Sequence, residues 1–435
     1  MKRSLGFWRT WGLVVGSAVG SAIFSLPPLL VPYGSLGLVG WAAAAIAMLC
    51  VALSLGALAQ RIPKIGGPYA YVRMAFGDLP AFLIAWSFWV SVWTGVAAIA
   101  VAFAAYLGVF IPAFSVIPLM GAAGAIAVMW AFTGINVAGV TTAASLNLAF
   151  TVLKLLPLLV VGVAGLTVGD FSAIPSADPR GTPVLFFFAG LFVLTMGAFV
   201  GLEAATIPAD DVIAPEKTIP RALTSGALTI GAIYLLSAAG VMALVPSTEL
   251  AQSTAPFSTA ALSVFGPWGS KLVAVGAIIS ITGVLNATIL LTGQMPRAAA
   301  LDGLFPARFT GLNSRGAPAF ALIVSTILAT VLIAMNYTDG IVAAYKVMFL
   351  LTTLTAIVVY AASAAADLVL QHRDARRGKL VRWQSVLIAL AALTVSIFAI
   401  VGSGLQVAGY TLVLLAAGLP FYAWLRKGTM TYRTG

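Results

Sequence analysis

Residues 16–27 read GSAVGSAIFSLP and lie inside the first apolar run of the chain. Two glycines, three serines and a proline stand where an uninterrupted membrane helix would be expected. A glycine in a helix interior costs about 1 kcal/mol relative to alanine. At membrane depth a freed backbone group is tolerated only where protein or a water-filled cavity satisfies it. The stretch therefore marks a helix break and points to a site. Gly16-x-x-x-Gly20 by itself also fits a small-residue seam for close helix packing. What favours the site is a second interrupted stretch, MGAFVGLEAATIP, from Met196 to Pro208. At an offset of 181 residues Gly16 meets Gly197, Gly20 meets Gly201 and Pro27 meets Pro208.

The surrounding composition fits this reading. The 435 residues are 61% hydrophobic and 8% charged, with a mean hydropathy of +1.07, which excludes a water-soluble globular domain. Cys50 is the only cysteine and His372 the only histidine. A disulfide framework, a cysteine or histidine metal centre and a catalytic triad all lack their parts. No metal, cofactor or enzymatic chemistry is expected.

Runs of about 20 apolar residues suffice to cross a bilayer, and twelve are legible. They lie near 11–32, 36–59, 79–111, 115–135, 143–168, 183–207, 221–244, 268–298, 317–335, 341–369, 383–402 and 405–425. The expected fold is an all-α polytopic membrane protein of twelve transmembrane helices. Lys and Arg in short loops stay on the cytoplasmic side. Lys2, Arg3, Arg9, Arg61, Lys64, Arg73, Lys217, Arg221, Arg297, Arg308, Arg315, the basic residues from Arg373 to Arg382, Arg426, Lys427 and Arg433 all fall on one face. Only Arg180 and Lys271 fall on the other, so both termini are expected in the cytoplasm. The net charge of +11 then reflects topology, with some attraction to anionic headgroups, and implies no nucleic-acid partner.

Paired interruptions in the first and sixth spans are what an inverted repeat produces, with substrate held near the midplane between the repeats. Half-helix N-termini offer amides to a carboxylate. The C-terminal ends offer carbonyls to an ammonium group. Together they complement an α-amino acid.

At these residues the chain resembles the amino acid-polyamine-organocation (APC) permease superfamily, nearest to the bacterial basic amino acid and polyamine antiporters. GSAIF in the first span and FVGLEAATIPADDVIAPEKTIPRAL from Phe199 carry the resemblance. So do GGPYAYVRMAFG (66–77), VPSTELAQSTAPF (245–257) and GQMPRAAALDGLFP (293–306). The resemblance implies a LeuT-type fold working by alternating access: one transporter domain with repeats at 11–168 and 183–369, and peripheral helices at 383–425. It places a substrate carboxylate on the amides near Ser21 and Ala22, and an amine on carbonyls near Ala18, Gly197 and Val200, with Gly20 and Gly201 in the breaks. Ala22 departs from the family's glycine motif and adds a methyl group to the carboxylate pocket. Gly197, Thr288 and Val96 stand where arginine/agmatine exchangers place aromatic and amide groups, which favours neutral or hydrophobic amino acids. Cationic amino acid or polyamine exchange is the alternative, and a channel or non-transporting sensor a third reading.

Ionisable residues inside spans are functional candidates by default. Lys154 falls midway along the fifth span. By resemblance it places its amine where sodium-coupled relatives bind a cation, as a strut or as a proton carrier, with Ser280 of the eighth span as a partner. Either role implies sodium independence. Glu203, read as the only acidic residue well inside a span, is a gate or proton-network candidate, or a cap. Lys346 snorkels to the interface and receives no role. Phe199 is a candidate aromatic gate. Trp89 and Trp93, one turn apart, line a cavity or form a packing stripe, and Asn286 is a further polar candidate. The expected partners are an amino acid or related amine, protons and the lipid bilayer, and a homodimer is left open.

Overall fold

A computed structural model describes residues 5–62, 67–139, 144–177, 183–206 and 211–431. Pro208, Lys2, Arg3, Lys64, Arg180 and Arg433 lie outside the described residues, as do the side chains of Arg426 and Lys427. The first half of the chain supplies α1 (Phe7–Ala18), α2 (Ser21–Ser25), α3 (Pro27–Leu30), α4 (Leu36–Arg61), α5 (Pro68–Phe76), α6 (Asp78–Leu107), α7 (Ala113–Val116), α8 (Pro118–Val137) and α9 (Ala144–Val168). The second half supplies α10 (Val184–Gly197), α11 (Pro215–Leu244), α12 (Ser247–Leu250), α13 (Pro256–Leu301), α14 (Ala319–Asn336) and α15 (Ile341–Arg376). Then come α16 (Trp383–Gly402), α17 (Leu405–Ala416) and α18 (Gly418–Thr431). Among the described residues the only β pairing is an isolated bridge between Leu5 and Val212.

The protein is a multi-pass, all-α membrane protein. Among the described residues ten helices are long and apolar enough to cross a bilayer, or eleven if the pair bent by 64° between Ser25 and Pro27 counts as one. The expected sixth span is shorter than its apolar run. α10 has 14 residues, about 21 Å at 1.5 Å per residue, and the chain then turns and continues as a 3-10 helix over Leu202–Thr206. The eighth span also differs: α13 starts at Pro256, and Gly266 (φ 68°, ψ −167°) splits it before Pro267. Positive φ at that point is a conformation that favours glycine.

α6 is buried nearly all round, as expected of a helix without a polar face. It packs against α13 and α15, while α11 packs against α1, α4 and α9. Between these two groups lie the two interruptions. α1 stops at Ala18, Val19 takes extended angles (φ −75°, ψ 95°), and α2 restarts after Gly20. In the second stretch α10 stops at Gly197 and Gly201 has φ +107°. A β-carbon on Gly201 would also meet the Ser17 carbonyl oxygen at 2.9 Å. The two interruptions therefore touch, and only glycine permits the approach.

Candidate functional site

The ends of the interrupted helices are held by side chains from other helices. Tyr234 of α11 is fully buried. Its hydroxyl lies 2.8 Å from Ala18 O and 3.2 Å from Ala198 O, so one group clasps both interruptions from behind. The Lys154 ammonium of α9 donates to Gly16 O, and the Thr151 hydroxyl, one turn before it, donates to Gly12 O at 3.3 Å. A cation thus meets the carbonyl end of α1, the negative end of its dipole. At the other interruption Glu203 Oε2 accepts from the Gly201 amide at 3.1 Å and from the Tyr360 hydroxyl of α15 at 2.5 Å.

In front of the interruptions lies a cavity of about 100 Å³, room for several waters or part of a small organic molecule. Ala18, Gly20, Ser21 and Ala22 line it from the first interruption, and Gly197, Val200, Gly201 and Glu203 from the second. α13 contributes Thr288 and Val284, α6 contributes Phe88, and α15 contributes Phe349 and Thr352. The first amides of α2 have no preceding turn to donate into. Of the three carbonyls expected to hold an amine, that of Ala18 already accepts from Tyr234 and that of Gly197 accepts from Val200 N at 3.1 Å.

Other expected site residues lie elsewhere. Phe199 is fully buried behind the second interruption, edge-on to Tyr234 at 5.3 Å, and does not line the cavity; the turn after Gly197 directs it away. Val96 is buried in α6, where Gly95 lines the cavity instead. Ser280 is buried, and its hydroxyl has no partner among the described residues, so the expected bond to Lys154 is absent. Trp89 donates to Ser325 at 2.9 Å and, like Trp93, lies outside the lining. Asn286 accepts from Asn136 at 2.8 Å, and Lys346 is exposed.

Asp367 of α15 was missed. It is 1% exposed, accepts from Ser54 at 3.0 Å and pairs with Arg61 at 3.3 Å. Glu203 is therefore not the only acid within the apolar runs. An aspartate inside the run 341–369 is itself a signal. Phe88, Phe349, Tyr234 and Tyr360 carry no such signal, because aromatic residues are common throughout the chain.

The cavity thus lies between touching helix interruptions among membrane helices, with mostly apolar walls and Ser17, Ser21, Glu203, Thr288 and Thr352 among its polar groups. The chain belongs to the amino acid permease family, whose sequence model matches residues 5–418; this is the superfamily its motifs resemble. It is 30% identical to an arginine/ornithine antiporter of Pseudomonas aeruginosa, over 94% of this chain and 88% of that protein. It is 27% identical to a putrescine transporter of Haemophilus influenzae, over 97% and 95%. It is also 28% identical to a cadaverine/lysine antiporter of Escherichia coli K12, over 77% and 75%.

Proposed function

We propose that the protein exchanges cationic amino acids or polyamines across the inner membrane by alternating access. The observation that carries this reading is the Glu203 carboxylate in the cavity wall, with Phe88 and Phe349 lining the same space. An amine or guanidinium is stabilised by a carboxylate and by aromatic rings, whereas a neutral side chain gains nothing from the charge. The relatives, named for arginine, ornithine, lysine, putrescine and cadaverine, weigh the same way. The alternative drawn from the sequence is thus preferred to neutral amino acids.

In this reading an α-carboxylate rests on the amides of Ser21 and Ala22, and an α-amine on the Gly197 and Val200 carbonyls. The fold is a LeuT-type pair of five-helix repeats, 11–168 and 183–369, with 383–425 peripheral, and the basic end of the bundle faces the cytoplasm. Lys154, bonded to Gly16 O, occupies the place of a coupling cation, so transport is sodium-independent. Glu203 and Lys154 are the groups through which protons would act.

The test is counterflow in proteoliposomes with labelled arginine, lysine, ornithine, putrescine, cadaverine and leucine, with and without a pH gradient, in sodium or choline buffer. Exchange of cationic substrates in both buffers is expected. Transport of leucine with no cationic exchange would sink the substrate reading, and strict sodium dependence would sink the role of Lys154.

A further inference from the structure

Gly197 ends α10 at a point where no side chain fits. A β-carbon built there would lie 2.8 Å from Phe349 Cζ and would collide with Thr353 Oγ1. Thr353 is fully buried, and a β-carbon at Gly197 would also crowd its methyl group at 2.7 Å. On another side the Phe349 ring stacks on Tyr345, one turn earlier in α15, with centroids 5.6 Å apart and planes 15° from parallel. Phe349 is therefore held between α10 and its own helix, yet it lines the cavity. Thr352 beside it is fixed by its hydroxyl, 2.9 Å from Met348 O and from Thr94 Oγ1.

We propose that Phe349 is the specificity-determining wall of the cavity, and that Gly197 is the vacancy that seats it. This rests on the cationic reading of the same site. The missing side chain in the second interruption is replaced by a ring supplied from α15. A ring so fixed gives an apolar stem something to lie along and gives the amine or guanidinium at its end a π-system. The class of substrate that it selects is a primary amine or guanidinium carried on a methylene chain.

The test compares Phe349→Leu, Phe349→Tyr and Gly197→Ala in the full chain, by counterflow with arginine, lysine and putrescine and by melting temperature without substrate. Phe349→Leu is expected to raise KM for all three substrates about tenfold with little change in melting temperature, and Phe349→Tyr to stay within about twofold of the parent. Gly197→Ala is expected to raise KM by displacing the ring, and to add little when Phe349 is already Leu, because a shared contact makes the pair non-additive. Equal KM values for parent and Phe349→Leu, an equal loss in the Leu and Tyr variants, or additive Gly197 and Phe349 effects would each overturn the proposal. If Gly197→Ala fails to fold, the Leu and Tyr variants decide alone. A parent that exchanges only neutral amino acids instead overturns the cationic reading. The double-mutant comparison is then made on those amino acids, where additivity would overturn the pairing of Gly197 with Phe349 as well.

Discussion

At the first interruption the chain ends a helix in carbonyls, and a lysine from α9 meets them; at the second, Glu203 turns back onto the amide of Gly201. The two touch each other and share Tyr234, yet opposite charges hold them. Each charge matches the backbone group it faces, a cation on carbonyl oxygen and a carboxylate on N–H, as helix-end electrostatics require. The consequences differ. Lys154 is absent from the cavity lining, whereas Glu203 is part of it. Both interruptions line the cavity, but the charge that holds the first stands behind it and the charge that holds the second stands in the cavity wall.

The sharpest way to break this comparison is Lys154→Met. It leaves the Gly16 carbonyl without its buried donor, which costs about 1–3 kcal/mol. We expect a lower melting temperature in detergent and loss of exchange for every substrate alike. A variant as stable as the parent that has lost only cationic substrates would place Lys154 with Glu203 rather than apart from it.

Next in size is one substitution made at both interruptions. Gly201→Ala forces a side chain into φ +107° and against the Ser17 carbonyl, a strain of about 1–3 kcal/mol. At Gly20→Ala the nearest atoms belong to the Val284 side chain, the closest at 3.0 Å, in a conformation without positive φ. Thermal melts should rank Gly201→Ala well below Gly20→Ala, and equal melting temperatures would remove the distinction between the two backbones.

Glu203→Gln keeps the shape of the side chain and removes its charge. KM for arginine and putrescine should rise about tenfold, equivalent to about 1.4 kcal/mol, with a small change in stability. An unchanged KM in counterflow would make Glu203 a cap alone. The smallest expected effect on exchange is that of Arg61→Gln. Its partner Asp367 is buried and keeps the bond from Ser54, so a loss of stability of about 1–3 kcal/mol is expected. Substrate KM values should be unchanged, because this pair lies outside the cavity lining.

Much of the geometry at the interruptions was legible in the sequence alone. Glycines and charges inside apolar runs are expensive, so Gly20, Gly201, Lys154 and Glu203 are conspicuous against their neighbours, and the family motifs strengthen the same positions. Phe199 shows where that reasoning stops. Its place in the interrupted stretch made it a candidate gate, but the turn after Gly197 points it at Tyr234. Ser280 was assigned to Lys154 from its position in the eighth span, yet the ammonium reaches a backbone carbonyl instead.

By itself the sequence determined that this chain is a multi-pass membrane protein and where glycines interrupt two of its apolar runs. Those properties depend on local hydrophobicity and on backbone groups that cannot go unsatisfied in lipid. Only the tertiary structure decided which rings face the cavity and which tyrosines bind the interruptions. In an apolar chain with 24 phenylalanines, lipid-facing, core-facing and cavity-facing rings share one composition. The choice among them falls to helix rotation and to close approaches such as that of Gly197 to Phe349.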